Sequence, residues 1–498
     1  MMNSQILKNA REYEAAAEKE IKDSQRPAFH FSPRTGWTND PNGFSWYGGA
    51  YHLFYQYNPY HTNWDKMHWG HAVSKDLLHW EYLPAAMAPD ETYDETGCFS
   101  GSASALPDGR QLIMYTGVSR KMDEHGKSKD IQTQCIAVGD GTDYEKYKGN
   151  PVLTGKDLPK GSSEADFRDP KIWQGKDGRF YCVVGSRDAD GSGQILVFSS
   201  GDGFQWQFES ILAKNERRFG SMWECPDFFE LDGKHVLIVS PQDMAARELE
   251  FGNGNVTLCL IGELEENRHV LKEQYAQAID YGIDFYAPQT LLSPDGRRIM
   301  IGWMQNWDTC LLRLPEQKWF GQMSIPRELS VKDGRLYQKP VRELENLRRN
   351  PASYTDVALG GEELELESVF GRTADIELEL IPEPECKKIT VNFAKDSLYK
   401  TSLVYDIEKS VVELDRTFSG VKKAALHRKA CKVRSENGRL QVRMILDRFS
   451  VEIFINGGEQ VMSMALYTEL SADKVTFSAQ QGARMNLVKY ELLSERNV

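Results

Sequence analysis

Apolar positions along the chain follow three different rhythms. Over residues 4–22, Ile6, Ala10, Tyr13, Ala17 and Ile21 recur at helical spacing with charges between them, and Ser4 can cap the first turn. One short N-terminal helix packed on the body of the protein is expected. From about Phe29 to Val341 the period shortens. Segments 51–57, 111–118, 180–186, 194–199, 234–240 and 298–304 are strand-length and rich in aromatic and β-branched residues. Asp-Gly, favoured where a tight hairpin needs positive φ, begins at Asp108, Asp140, Asp177, Asp190, Asp202, Asp232, Asp295 and Asp333. So many short antiparallel strands exceed a single sandwich, and a propeller of four-stranded blades fits the length better. No clean sequence repeat of blade length accompanies them.

Towards the C-terminus the rhythm becomes strict alternation. Ala374, Ile376, Leu378 and Leu380 alternate with Asp375, Glu377 and Glu379, and Leu440, Val442, Met444 and Leu446 repeat the pattern. One face of each such strand is apolar and the other charged, as in a half-solvated antiparallel sheet. Asn437-Gly438 and Asn456-Gly457 are expected as hairpin turns. All eleven tryptophans lie at or before Trp319, and nine of the ten histidines at or before His269. The expected division is a helical extension over 1–27, a propeller over 28–342, a polar linker over 343–354 and a β-sandwich over 355–498. Any chemistry should sit in the aromatic-rich propeller.

Composition narrows the function. Lys and Arg number 60 against 73 Asp and Glu, a net charge of −13 that repels phosphodiester backbones and argues against nucleic-acid binding. No stretch approaches the roughly 18 apolar residues of a membrane span. Lys8, Arg11, Glu12 and Glu14 interrupt the place of a signal-peptide core. The eight cysteines form no C-x-x-C pair, which suggests reduced thiols and a cytoplasmic address. Six histidines, His30, His52, His61, His68, His71 and His79, crowd into fifty residues. No carboxylate-rich helix or cysteine pair joins them, so neither a metal nor another cofactor is expected.

Three segments set a carboxylate in an unusual context: Asn39-Asp40-Pro41-Asn42-Gly43, Phe167-Arg168-Asp169-Pro170 and Trp223-Glu224-Cys225-Pro226. Proline after the acid favours extended backbone and cannot donate to a sheet, which places these acids at strand ends or edges. Two acids beside aromatic faces and hydrogen-bond donors are what glycoside hydrolysis requires.

With these segments, Phe54-Tyr55-Gln56, Met67-His68-Trp69-Gly70-His71, Gly97-Cys98-Phe99-Ser100-Gly101, Asp284-Phe285-Tyr286-Ala287-Pro288-Gln289 and Leu446-Asp447-Arg448-Phe449-Ser450-Val451-Glu452 follow one another in a known order. The chain resembles glycoside hydrolase family 32, in particular its bacterial sucrose-6-phosphate hydrolases and invertases. Thr38 stands where the family signature W-M-N-D-P-N-G has methionine. The resemblance implies an all-β protein with a five-bladed propeller and a C-terminal β-sandwich. It implies a retaining β-fructofuranosidase acting on sucrose 6-phosphate or sucrose. Asp40 would be the nucleophile, Glu224 the general acid/base and Asp169 the transition-state stabiliser. Asn39, Gln56, Trp64, Phe99, Ser100 and Arg168 would line the fructose end, with Trp37, Tyr286 and Trp303 as further candidates.

Three alternatives stay open: a hydrolase of short fructo-oligosaccharides, a fructosyl transferase, or a sugar-binding propeller without catalysis. A substrate phosphate could meet Arg34, Lys66, Arg120, Lys121, Arg187 or Arg313, and the sequence does not choose among them. The sandwich offers a docking surface for a homo-oligomer, a state the sequence also leaves open.

Overall fold

The computed structural model describes residues 4–122, 126–265, 268–312, 317–435 and 438–493. Gln5–Ala17 forms the N-terminal helix, with the Ser4 hydroxyl accepting from the Leu7 amide. Its inward face differs from the expected one. Leu7, Ala10 and Glu14 are buried, whereas Ile6 and Tyr13 are 45% and 42% exposed. The reason is polar: Glu14 accepts from the Ala85 amide at 2.8 Å and Arg11 donates to the Ala85 carbonyl at 2.8 Å. These contacts rotate a carboxylate, rather than the tyrosine, towards the body.

Five antiparallel sheets of sequential strands follow. Blade 1 comprises Gly36–Tyr47, Ala50–Asn58, His68–Ser74 and Trp80–Met87, and blade 2 Gly97–Ala105, Gln111–Met122, Ser128–Gly139 and Tyr144–Lys146. Blade 3 runs from Phe167–Gln174 to Gln207–Lys214 and blade 4 from Trp223–Leu231 to Val270–Ala278. Blade 5 contains Tyr286–Leu292, Arg298–Trp303, Arg327–Lys332 and Arg335–Pro340. The first strand of each blade packs against the next, and that of blade 5 returns to blade 1. Trp319–Phe320 closes the circle by pairing in parallel with Gly36 and Trp37. All eight Asp-Gly pairs connect paired strands, each glycine at positive φ.

Near its start every inner strand carries a β-bulge. The ladders shift between Thr38 and Pro41, Phe99 and Gly101, Glu224 and Asp227, and Tyr286 and Gln289, and opposite Asp169 and Pro170 in blade 3. A bulge leaves one residue unpaired and turns its neighbours out of the pleat. Asp169, Cys225 and Ala287 stand there at φ +67°, +48° and +50°. In blades 2 to 5 an amide beside the break is taken by a side chain of the preceding blade. Asn42 accepts from Gly101 N (3.0 Å), Thr116 from Asp169 N (2.9 Å), Asp169 from Cys225 N (2.9 Å) and Ser240 from Ala287 N (3.1 Å). Gln289 of blade 5 accepts from Phe44 N of blade 1 (3.3 Å), beside the second shift in that strand. The five bonds form a closed ring around the propeller axis.

The sandwich consists of two six-stranded sheets. Ala374, Ile376, Leu378, Leu380, Leu440, Val442, Met444 and Leu446 face its core, as their alternation predicts. Asp375 is buried as well, held by Arg348 and Arg443. The expected linker is structured: Arg342–Leu347 is a 3-10 turn that buries Leu344 and Leu347, and Arg348–Leu359 is an edge strand. An edge strand exposed on both sides carries mostly polar residues, which is why 343–354 reads as linker. Asn456-Gly457 turns between paired strands, Ser450–Ile455 and Gln460–Ala465. Asn437 lies outside the described residues, and the strands flanking it, Arg428–Lys432 and Leu440–Asp447, belong to different sheets, so no hairpin joins them. No described helix is long and apolar enough to cross a membrane.

Propeller and sandwich meet at a buried ionic cluster. His30 bonds Asp447 through Nδ1 (2.8 Å) and Glu452 through Nε2 (2.9 Å), and Arg327 joins Glu452 to Asp280. Burial opposes an imidazolium, but hydrogen bonds to Asp447 and Glu452 and their charges outweigh it and hold His30 up to about 9. A folded-state value above the ordinary 6.5 stabilises fully below about pH 6.5 and is lost as pH rises through 9. We expect His30→Gln to lose ~3–5 kcal/mol near pH 7, because it leaves the buried Asp447 without its cation and Glu452 with Arg327 alone. Its melting temperature should then vary less between about pH 7 and 9.5 than the parent's. Parallel pH profiles for the two proteins would refute the charged bridge.

Candidate active site

The bulges aim one short segment of each inner strand of blades 1 to 4 into a cavity of about 380 Å³ at one end of the axis. Its walls include Asn39, Asp40, Gln56, Trp64, Phe99, Ser100, Arg168, Asp169 and Glu224, so nine of the twelve residues singled out in the sequence meet here. The larger cleft, about 620 Å³ between blade 5 and the sandwich, is lined by charges that pair with one another, such as Arg342 with Glu328 and Arg443 with Glu377. The axial cavity instead gathers three acids, Asp40, Asp169 and Glu224, with Arg168 as the one cation among the described residues of its lining.

Asp40 is 8% exposed. Its Oδ2 accepts from Ser100 Oγ at 2.8 Å and from the Cys225 thiol at 3.5 Å. Oδ1 has no hydrogen-bond partner among the described residues. One carboxylate oxygen is thus fixed, and the other is enclosed by protein without a partner in hydrogen-bond geometry. Burial pushes Asp40 up to about 6; the Asn39 side chain opposes this, and the charge of Glu224 adds to it. Glu224 is gripped from both sides: Oε1 accepts from Arg168 Nε (3.0 Å) and Oε2 from the Tyr286 hydroxyl (2.7 Å). Asp169 accepts from Cys225 N, and burial raises its carboxyl despite Arg168 alongside, with Glu224 adding to the rise. Burial also opposes the charge of Arg168, but Glu224, Asp169 and Asp166 outweigh it and keep the guanidinium more basic than usual. Three carboxyls around one cation give a site that holds a proton near neutrality and carries net negative charge.

The other three candidates stand behind the wall. Trp37 donates to Asn39 Oδ1 at 2.8 Å, which leaves the Asn39 amide group to act on the Asp40 carboxyl. Trp37 and Trp303 are fully buried and pack against Trp307, with ring centroids 6.4 Å and 5.1 Å away. It is Trp307 that reaches the cavity. Tyr286 acts through Glu224. Trp64, 44% exposed, rises at the lip against Phe99. Thr38, the departure from the signature, is buried and donates to the Gln56 carbonyl at 3.0 Å, bracing the two strands that carry Asn39 and Gln56.

Sequence reading missed Gln132, Gln242 and Trp307, which also line the cavity. Gln132 comes from the third strand of blade 2 and reaches in because its Oε1 accepts from the Phe167 amide (2.9 Å). No local motif signals such a contact. Trp307 carried a weak signal, a second tryptophan four residues after Trp303.

The six clustered histidines serve separate contacts. His52 and His71 pair at 3.0 Å within blade 1, His61 lies against the Tyr60 ring, His68 bonds the Lys66 carbonyl, His79 caps with Asp76, and His30 bridges to the sandwich.

Comparison with known proteins agrees with this architecture. The glycosyl hydrolases family 32 N-terminal domain matches residues 30–340, and the family 32 C-terminal domain matches residues 343–493. A raffinose invertase of Escherichia coli is 35% identical over 464 residues, 92% of either chain. A sucrose-6-phosphate hydrolase of Bacillus subtilis is 34% identical over 495 residues, 97% of this chain and 98% of its own. A GH32 beta-fructofuranosidase of Bombyx mori superposes with a TM-score of 0.84 at 34% identity, covering 99% of both chains. A sucrose-6-phosphate hydrolase from Lactobacillus gasseri gives 0.82 at 27% identity, with 99% and 97% covered. With a propeller and a sandwich in the matching order and three acids at the axis, the chain belongs to glycosyl hydrolase family 32.

Proposed function

We propose that the protein is a retaining β-fructofuranosidase that hydrolyses sucrose or sucrose 6-phosphate. The observation that carries this reading is Asp40, a buried carboxylate that lines the cavity together with Glu224, with Oδ2 anchored and Oδ1 without a hydrogen-bond partner among the described residues. This carboxylate attacks the anomeric carbon of the fructosyl unit and forms an ester. Glu224 gives its proton to the departing glucosyl oxygen, then takes one from the water that cleaves the ester. Asp169 accepts from fructosyl hydroxyls and favours the oxocarbenium-like state. A sugar-binding module would gain nothing from an unpartnered buried carboxylate, so the non-catalytic alternative is weaker. The substrate rests on the relatives, named for raffinose and for sucrose 6-phosphate, and on a variant of the Bombyx mori enzyme described in complex with sucrose.

For a phosphate on the glucosyl end, Lys66 is the best placed of the cations, two residues from Trp64 at the lip and free of ion pairs among the described residues. Arg34 is tied to Glu18, Arg120 to Asp130 and Arg187 to Asp166. Lys121 stands in a blade 2 hairpin three ladder positions beyond the pair Val118 and Gln132, and Arg313 lies outside the described residues. Eight free, buried thiols support a reducing, cytoplasmic setting. The ratio of kcat/KM for sucrose 6-phosphate and sucrose decides the substrate; a ratio near one would remove the phosphate from the reading.

Asp40→Asn and Glu224→Gln should each lower kcat by roughly three orders of magnitude or more while the protein stays folded. A variant retaining a tenth of parental turnover would lose its assigned role. Attack by Asp40 inverts the anomeric centre and water inverts it again, so NMR should detect β-fructose first. Initial α-fructose would mean that Asp40 only activates water.

The raised carboxyl has two further consequences. Asp40 must be ionised to attack, so kcat/KM should fall as pH drops through about 6. A folded-state value above the ordinary 3.8 also destabilises the fold wherever the unfolded chain is ionised. Removing that charge in Asp40→Asn should therefore raise stability by up to ~3 kcal/mol above about pH 6, and the gain should vanish near pH 4. Thermal melts of the two proteins across that range supply the check.

A further inference from the structure

Asp169 reaches the cavity from a backbone at φ +67°, a conformation that a residue with a side chain keeps only when its surroundings over-determine it. Three side chains of blade 2 do this to the segment Phe167-Arg168-Asp169. Gln132 Oε1 accepts from Phe167 N (2.9 Å), Gln134 Nε2 donates to Phe167 O (2.7 Å), and Thr116 Oγ1 accepts from Asp169 N (2.9 Å). Thr116 and Gln134 face each other across the ladder, and the Thr116 hydroxyl donates to Gln134 Oε1 at 2.9 Å. Its proton thus committed, that oxygen presents a lone pair to the Asp169 amide. Thr116 and Gln134 are wholly buried and neither lines the cavity.

We propose that Thr116 is a positioning residue for the glycosidase reaction. Its hydroxyl fixes the peptide of Asp169 in the left-handed conformation and so aims the carboxylate at the substrate. The inference rests on Asp169 holding the fructosyl unit, as argued above. Without the hydroxyl, the Asp169 amide and Gln134 Oε1 both lose a partner in a dry interior. The peptide is then free to leave φ +67°. The carboxylate moves with it, and its contact to Cys225 N, next to Glu224, goes too.

Two substitutions with opposite geometry test this. Thr116→Val keeps the shape and removes the hydroxyl; Thr116→Ser keeps the hydroxyl and removes a methyl. A residue that matters only for packing tolerates Val and suffers from Ser. A positioning hydroxyl gives the reverse order. We expect Val to lower kcat by about tenfold or more with a smaller change in KM, since contacts made by Asp169 tighten in the transition state, and Ser to stay within about threefold of the parent. If Val melts below the assay temperature, Thr116→Cys replaces it, because a thiol of similar size is a poor acceptor and should also fall below Ser. Asp169→Asn is measured alongside. If it turns over like the parent, the reading of Asp169 fails. If it is inactive while Val matches or exceeds Ser, the reading of the site survives and the positioning role of Thr116 is overturned.

Discussion

Breaks in backbone pairing along the five inner strands, bridged by one side-chain bond from blade to blade, are the constraint on which the rest of this protein depends. A regular inner strand would point alternate side chains into the blade interfaces and satisfy its amides within its own sheet. The bulges give up part of that ladder near the start of every inner strand and turn the freed residues to the axis. Buried amides cannot be left unpaired. Asn42, Thr116, Asp169, Ser240 and Gln289 take them up, each bonding forward or, for Gln289, back to blade 1. The same bonds that hold blade to blade therefore hold the walls of the cavity. Four of these acceptors are neutral; the fifth is Asp169, so one carboxyl of the site is also part of the frame.

The frame makes a crowded electrostatic arrangement tolerable. Asp169 and Glu224 share the Arg168 guanidinium, Asp40 stands in the same cavity outside that pairing, and the buried thiol of Cys225 spends its proton on Asp40. Burial and mutual repulsion keep the Asp40 and Asp169 carboxyls well above their ordinary range. Such a cluster stores unfavourable energy that a substrate with developing positive charge can relieve, which is the sense in which a stable scaffold and a strained site are complementary.

The three acids were legible because proline follows each within two residues, and Pro41, Pro170 and Pro226 mark bulges; Pro288 marks the one in blade 5. The number of blades was legible only through the family resemblance, because what repeats is a backbone device rather than a residue type. Amide, hydroxyl and carboxylate side chains perform the same task, so no period appears in the sequence. The face of the N-terminal helix was misjudged for a related reason: a buried Glu14 looks polar until the Ala85 amide it caps is known. Trp303 and Trp307 differ only in which end of an aromatic stack faces the cavity. The strand at Arg348–Leu359 read as linker because edge strands carry linker-like residues.

The buried bridge from His30 to Asp447 and Glu452 ties segments 417 and 422 residues apart. During synthesis the first blade emerges with the backbone amides of Ala28, Phe29 and His30 still lacking the carboxylate that will receive them. That partner arrives only after nearly the whole polypeptide has been made. Loop closure over such a span is entropically demanding and high contact order slows folding. The seam between the domains must therefore be among the last parts to set. Until it does, a nascent propeller carries an open polar wound at its first blade, and a chain truncated before Asp447 can never close it.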